Sequence, residues 1–192
     1  MCGRRAVLSG RNGEVTARVM FVGEAPGRQG GDRTRVPFSG DQSGRNFQRY
    51  IDSISLARSE LFITNAVLCN PRKESGANRR PAGAEIANCS EYLGRLIELI
   101  DPQVIVTMGR VALEALARVA PHGLSLRESA GRVQSWGDRL LVPLYHPSPQ
   151  VLASHRREAE QLADYRAVAL AVERAGAARG ESARRRAVGA TA

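Results

Sequence analysis

The chain is nearly without lysine. Lys73 is the only one among 28 basic residues set against 19 acidic ones, so arginine carries almost all of the formal net charge of +9. Guanidinium forks suit phosphate, and a chain this basic is expected to meet a polyanion. Cysteine is scarce and odd in number (Cys2, Cys69 and Cys89), which in a reducing compartment argues against a disulfide framework and for thiols that are buried or ligate metal. No apolar run reaches the about 20 residues of a membrane span, and MCGRRAVLSG has no apolar signal core. Neither membrane insertion nor export is expected; the cytoplasm is. Neither GxxxxGK[ST] nor GxGxxG occurs, which removes two common phosphate-cradling loops, and no internal repeat is visible. A chain of 192 residues fits one domain with a sizeable core.

The chain is organised around residues 19–38, VMFVGEAPGRQGGDRTRVPF. Val19 to Val22 has no polar alternation and stops at Gly23, the pattern of a strand buried on both faces. Loops beyond the carboxyl ends of such strands are where α/β proteins place their chemistry, and this one carries Glu24, Asp32 and Phe38.

The same pattern recurs at Leu61–Leu68, interrupted by Asn65, and at Val104–Met108. Between these runs, Phe47, Tyr50, Ile51 and Ile54 repeat at helical spacing behind the N-cap candidates Ser39 to Ser43. Ile86, Cys89, Leu93, Leu96, Ile97 and Ile100 form a second helical stripe after Pro81, and Val111 to Val119 a third. Residues 70–81 and 121–130 read as loops, and 131–136 with 139–144 as a short hairpin joined at Gly137-Asp138. A last helix is expected from about Gln150 to about Arg174. This alternation predicts an α/β class: a single-domain three-layer α/β/α sandwich on a mainly parallel four-stranded sheet. The expected divisions are a lead-in over 1–17, the domain over 18–175, and a basic disordered tail over 176–192.

Three runs end in residues with chemistry: Glu24 after the first, Asn65 at the end of the second, and His146 in YHPSP after the last. With the aromatic Phe38 they make a kit for reading and detaching a nucleobase. An amide pairs with an imide edge, a ring stacks, an imidazole donates to the oxygen that gains charge, and a carboxylate faces the cationic sugar.

At this point the sequence resembles the uracil-DNA glycosylase superfamily, most closely its family 4, the iron–sulfur type. The matching pieces run in order over roughly residues 18 to 170: GEAPG at 23–27, Asp32 with PFSG at 37–40, ITNAVLCNP at 63–71, NRRP at 78–81, Cys89, PQVIVTMG at 102–109, and YHPSP at 145–149. The resemblance implies a monofunctional DNA repair enzyme that flips uracil out of DNA and hydrolyses its N-glycosidic bond. It implies catalytic roles for Glu24, His146 and Asp32. Gly23, Ala25, Phe38 and Asn65 would bind the base, and Ser39, Arg80, Ser148, Gln150 and Val151 would contact the DNA. The partner is uracil-containing DNA, single- or double-stranded, and a monomer is expected. Arg28, Arg33, Arg35, Arg79, Arg80, Arg156 and Arg157 flank these motifs as candidate phosphate contacts. The alternatives are another deaminated base (hypoxanthine or xanthine) or a non-catalytic uracil-DNA binder. A crosslinking relative that uses a histidine in the loop before the second cysteine does not fit, because residues 70–88 hold none.

The departures are specific. Gly31 precedes Asp32 where many family members have Glu, and Gln150 stands where an apolar wedge often sits. The resemblance also implies a [4Fe–4S] cluster held by four cysteines. Cys69 and Cys89 match in context, and Cys2 matches the N-terminal pair loosely. A C-x-x-C pair ending at Cys2 would begin ahead of Met1, so the expectation is that the native start lies upstream and supplies the fourth ligand.

Overall fold

A five-residue apolar run can bury both of its faces only if helices cover both sides of its sheet, and four runs meet that condition here. This computed structural model describes the backbone of residues 5–189 and side chains as far as residue 178. β1 (Val19–Gly23), β2 (Leu61–Asn65), β3 (Val104–Met108) and β5 (Arg139–Leu144) lie parallel in one sheet, with β4 (Gln134–Trp136) antiparallel to β5 at its edge. The order is β2-β1-β3-β5-β4.

The sheet therefore has five strands rather than the expected four. The first arm of the hairpin joins it by pairing Gln134 with Leu141 and Trp136 with Arg139. Trp136 anchors that edge: its ring is buried and its Nε1 donates to the Ala120 carbonyl at 3.1 Å.

Alternation along the strands divides the core in two. Met20, Val22, Phe62, Ile105 and Leu141 face α3 (Gly83–Ile100) and α4 (Arg110–Val119), which bury Ile86, Leu93, Leu96, Ile97, Val111 and Leu116 against them. Phe21, Ile63, Val106, Met108 and Val142 face α2 (Gln42–Asp52) and α7 (Glu158–Gly189). Those helices contribute Phe47, Tyr50, Ile51, Tyr165 and Val168. Burying each such side chain is worth about 1.5–3 kcal/mol. Phe21, Phe47, Tyr50 and Tyr165 are in ring contact, with centroids 5.1 to 6.4 Å apart.

A one-turn helix, α1 (Gly31–Thr34), lies in the Gly-rich loop after β1, and local signals set most of the other helix ends. Asp41 caps α2 by accepting from the Gly44 amide at 2.9 Å, and α3 stops at Asp101 in a left-handed conformation just before Pro102. Two further expectations need correction. The stretch 121–130 contains a short helix, α5 (Leu126–Ser129), capped by Ser125. The last helix is broken into α6 (Pro149–Ser154) and α7, because Arg156 leaves the helical path to form a two-bond pair with the buried Asp164 carboxylate at 2.6 and 2.9 Å. The backbone also stays helical past Arg174 to Gly189, over a stretch rich in the good helix formers Ala, Arg and Glu.

Thr64 and Thr107 both stand in register with Val22, and among the described residues neither hydroxyl has a hydrogen-bond partner. An unpaired buried hydroxyl costs about 1–3 kcal/mol. Thr107→Val keeps the shape and removes the hydroxyl, so it is expected to leave stability unchanged or raise it by about 1 kcal/mol in urea denaturation. A loss beyond 1 kcal/mol would contradict the assignment.

Candidate active site

The chain leaves β1 toward β2 on one side and later returns to place β3 on the other, so strand order reverses at β1. Open α/β sheets bind ligands in the crevice at such a point, beyond the strand carboxyl ends. A cleft of about 640 Å³ opens there, and Glu24, Phe38, Asn65 and His146 all line it.

Each of these groups is delivered by the end of a strand or by the loop that follows one. Glu24 continues β1, and its carbonyl accepts the Val67 amide at 3.0 Å, which ties it to the end of β2. Asn65 is the last residue of β2 and is 3 % exposed. His146 follows β5, and an added Cβ on Gly109, at the end of β3, would stand 3.6 Å from its Cβ. Phe38 lies on the arm returning toward α2 and has φ +47°, a left-handed conformation costing a non-glycine residue roughly 1–2 kcal/mol. Its ring lies 5.5 Å from the His146 ring and 5.1 Å from Phe47.

Gly23 makes this convergence feasible. A Cβ there would sit 2.6 Å from the Asn65 Oδ1 and 2.7 Å from the Phe38 ring, so no side chain fits where the amide and the ring meet. Among the described residues, no group hydrogen-bonds the Asn65 amide or the His146 ring. The loop behind His146 is held at its main chain instead. The Asn46 Nδ2 donates to the Pro147 carbonyl at 2.9 Å, and the Gln161 Nε2 donates to the His146 carbonyl at 3.3 Å.

Burial dominates the electrostatics. It raises the Glu24 pKa above the ordinary 4.5, with Arg80 and Arg110 pulling part of the way back. It pushes His146 down to about 4, against the opposing pull of Asp41. At neutral pH the imidazole is therefore uncharged and has one N–H to donate.

The other expected site residues are distributed unevenly. Ala25, Ser148, Gln150 and Val151 line the cleft with the four central groups. Asp32 does not: its carboxylate is taken by Arg72 at 2.5 Å and Arg35 at 3.4 Å, so the expected catalytic role is not supported by its position. Ser39 also lies outside the lining, and Arg80 pairs with Glu114 at 2.8 Å on an exposed rim. Arg79 forks onto Glu85 and Arg156 onto Asp164, which leaves Arg28 as a lining arginine outside any ion pair among the described residues.

Two of the lining residues that carry no role in the sequence pattern are polar and well held. Asp41 presents its carboxylate to the cleft, where only its N-cap position was readable. Asn78 joins the 70–81 loop to the GEAPG loop by accepting from the Arg28 amide at 3.1 Å and the Asn70 side chain at 3.0 Å.

The profile of the uracil DNA glycosylase superfamily matches residues 11–169. The chain belongs to this superfamily. It is 32 % identical over 151 residues to a type-4 uracil-DNA glycosylase of Archaeoglobus fulgidus, covering 76 % of this chain and 73 % of that protein. It is 39 % identical over 142 residues to a type-4 uracil-DNA glycosylase of Saccharolobus solfataricus, covering 71 % and 63 %. Similarity extends to a type-5 uracil-DNA glycosylase of Pyrobaculum aerophilum, 31 % over 165 residues, covering 79 % and 70 %.

Because burial raises the Glu24 pKa, the folded state holds the proton more tightly than the unfolded chain. The ionised carboxylate therefore costs stability, and that cost grows as pH rises above 4.5. Glu24→Gln is expected to raise the melting temperature at pH 7, with the gap closing as pH falls below 4.5. A variant that melts lower at pH 7 would overturn this.

Proposed function

We propose that this chain excises uracil from DNA by hydrolysing the N-glycosidic bond of a flipped-out deoxyuridine and leaves an abasic site. The observation that carries the reading is that four groups of the required kinds, from three stretches of sequence, converge on one cleft, and among the described residues no hydrogen bond occupies the side chains of Glu24, Asn65 and His146. A single copy of the chain supplies all four, so a monomer suffices.

In this mechanism the uracil slides between the Phe38 ring and the cleft wall, and the Asn65 amide donates and accepts along its imide edge. The bond between the sugar C1′ and the base N1 breaks, and its electron pair leaves on the uracil. Positive charge develops on the sugar and negative charge on the base. Glu24 in its ionised form, which Arg80 and Arg110 favour and burial opposes, faces the sugar cation. The neutral His146 donates an N–H to O2 of the uracil anion. Water adds its oxygen to C1′, and its proton passes to Glu24 and then to solvent. Arg28, Ser148, Gln150 and Val151 at the rim are placed to meet the strand, and the exposed Arg80–Glu114 pair can exchange its carboxylate for a phosphate.

The [4Fe–4S] cluster implied by the family 4 resemblance calls for four thiolates, and the sequence contains three cysteines. Cys2 lies outside the described residues. Cys69 is buried in the core beyond β2, and Cys89 is a half-buried free thiol of α3 packed against that same core. No group of three or more His, Cys, Asp or Glu side chains able to hold a metal is found among the described residues. The described residues do not fit a four-thiolate cluster.

The deciding experiment is an excision assay on matched oligonucleotides carrying uracil, hypoxanthine or xanthine. Uracil is expected to be released fastest; release of none of the three would sink the reading. Asn65→Asp should slow uracil excision by roughly 10²-fold, because a carboxylate cannot donate to the imide edge, and a wild-type rate would disprove base reading by Asn65. The acid limb of the kcat/KM profile should belong to Glu24, which titrates above 4.5, and not to His146, which titrates near 4. That limb should persist in His146→Asn and vanish in Glu24→Gln.

A further inference from the structure

Phe38 carries a left-handed backbone that bulky side chains rarely adopt, and such a conformation persists only where its surroundings enforce it. One enforcing contact is steric: a Cβ on Gly44 would lie 2.7 Å from the Phe38 carbonyl oxygen, so α2 presses against this carbonyl where it has no side chain. The attractive contact comes from Arg58, in the turn leading into β2. Its Nη1 donates to the Phe38 carbonyl at 3.3 Å, and its Nη2 donates to the Pro37 carbonyl. The guanidinium also lies over the Phe47 ring, 5.7 Å from the centroid, and Phe47 is the ring that backs Phe38. Arg58 is half-buried, and burial lowers its pKa with no carboxylate opposing it. Desolvating an arginine without an anion is unfavourable, and two adjacent main-chain carbonyls are what it binds in return. Arg58 does not line the cleft.

We infer that Arg58 is a positioning residue for base stacking: its fork locks the Pro37 and Phe38 carbonyls so that the Phe38 ring stands in the cleft beside His146. The inference rests on the stacking role proposed above for Phe38. Lysine is a poor replacement, because its point charge lacks the planar fork that spans both carbonyls.

The test is a double-mutant cycle on the whole chain with Arg58→Met, Phe38→Ala and the double variant, reading inhibition by free uracil, the single-turnover excision rate and affinity for undamaged DNA. Stacking of a base on an aromatic ring accounts for about tenfold or more in affinity. Arg58→Met should therefore weaken uracil inhibition by about tenfold in the Phe38 background and not at all in the Phe38→Ala background, with affinity for undamaged DNA unchanged. Equal losses in both backgrounds, or a parallel loss of affinity for undamaged DNA, would overturn the inference and make Arg58 a general stabiliser or a phosphate contact. If Phe38→Ala weakens uracil inhibition but Arg58→Met does not, the inference fails while the stacking role stands. If Phe38→Ala has no effect, the stacking role fails and takes the inference with it. Should Arg58→Met not fold, Arg58→Lys carries the same cycle with a smaller expected loss.

Discussion

The Phe38 ring and the Asn65 amide both occupy space that only a glycine at position 23 leaves open, and the rest of the site is arranged around that close approach. β1 lies beside β2, so the Asn65 amide at the end of β2 reaches this point, and His146 arrives from β5 across the end of β3 at Gly109. From this point the packing runs inward. Phe38 rests on Phe47, Phe47 on Phe21, Phe21 on Tyr165 and Tyr165 on Tyr50, while His146 touches the outer end of the series. Aromatic residues are only 5 % of the chain, yet most of them form this one continuous column, which couples the Phe38 ring to the rigid core. Interiors packed at crystalline density transmit such placement without slack.

Burial also accounts for the electrostatics of the cleft. One low-dielectric environment raises the carboxylic acid and lowers the imidazole, so each shift opposes the charged form of its group. Arg80 and Arg110 favour the Glu24 anion and offset part of the effect of burial. Asp41 offers His146 less, and the imidazole stays neutral. In the proposed mechanism an anion must stand beside the sugar, since a neutral acid there would not stabilise the developing cation, and a neutral imidazole still has an N–H to donate to the departing base. The cost falls on stability, as is usual where function requires a buried charge.

The loop bearing His146 is fixed by groups that never reach the cleft themselves. Asn46 from α2 and Gln161 from α7 hold consecutive carbonyls, and Arg156 lies over the Tyr145 ring, 6.0 Å from its centroid, while binding Asp164. Asn70, which itself lines the cleft, holds the GEAPG loop by donating to the Pro26 carbonyl at 2.6 Å from a nearly fully buried position. Buried polar side chains spent on main-chain carbonyls leave the cleft-facing side chains free, which is the arrangement a preorganised site requires.

Much of this was readable from residue order alone. Unalternating apolar runs can be satisfied only between two helical layers, so the parallel sheet was legible, and residues that end such runs must emerge at one edge, which placed Glu24, Asn65 and His146 together. Residues whose position is not tied to a strand end were less legible. Asp32 and Asp41 lie in the same Gly-rich region, and only the folded chain shows Arg72 drawing one away while helix capping turns the other toward the cleft. The fifth strand and the break before α7 depend on Trp136 finding the Ala120 carbonyl and Arg156 finding Asp164, and the left-handed turn at Phe38 on Arg58 reaching back 20 residues. Periodicity is a property of neighbours in sequence and survives without a fold. The partner of a long polar side chain is a property of neighbours in space, and only the tertiary structure decided it.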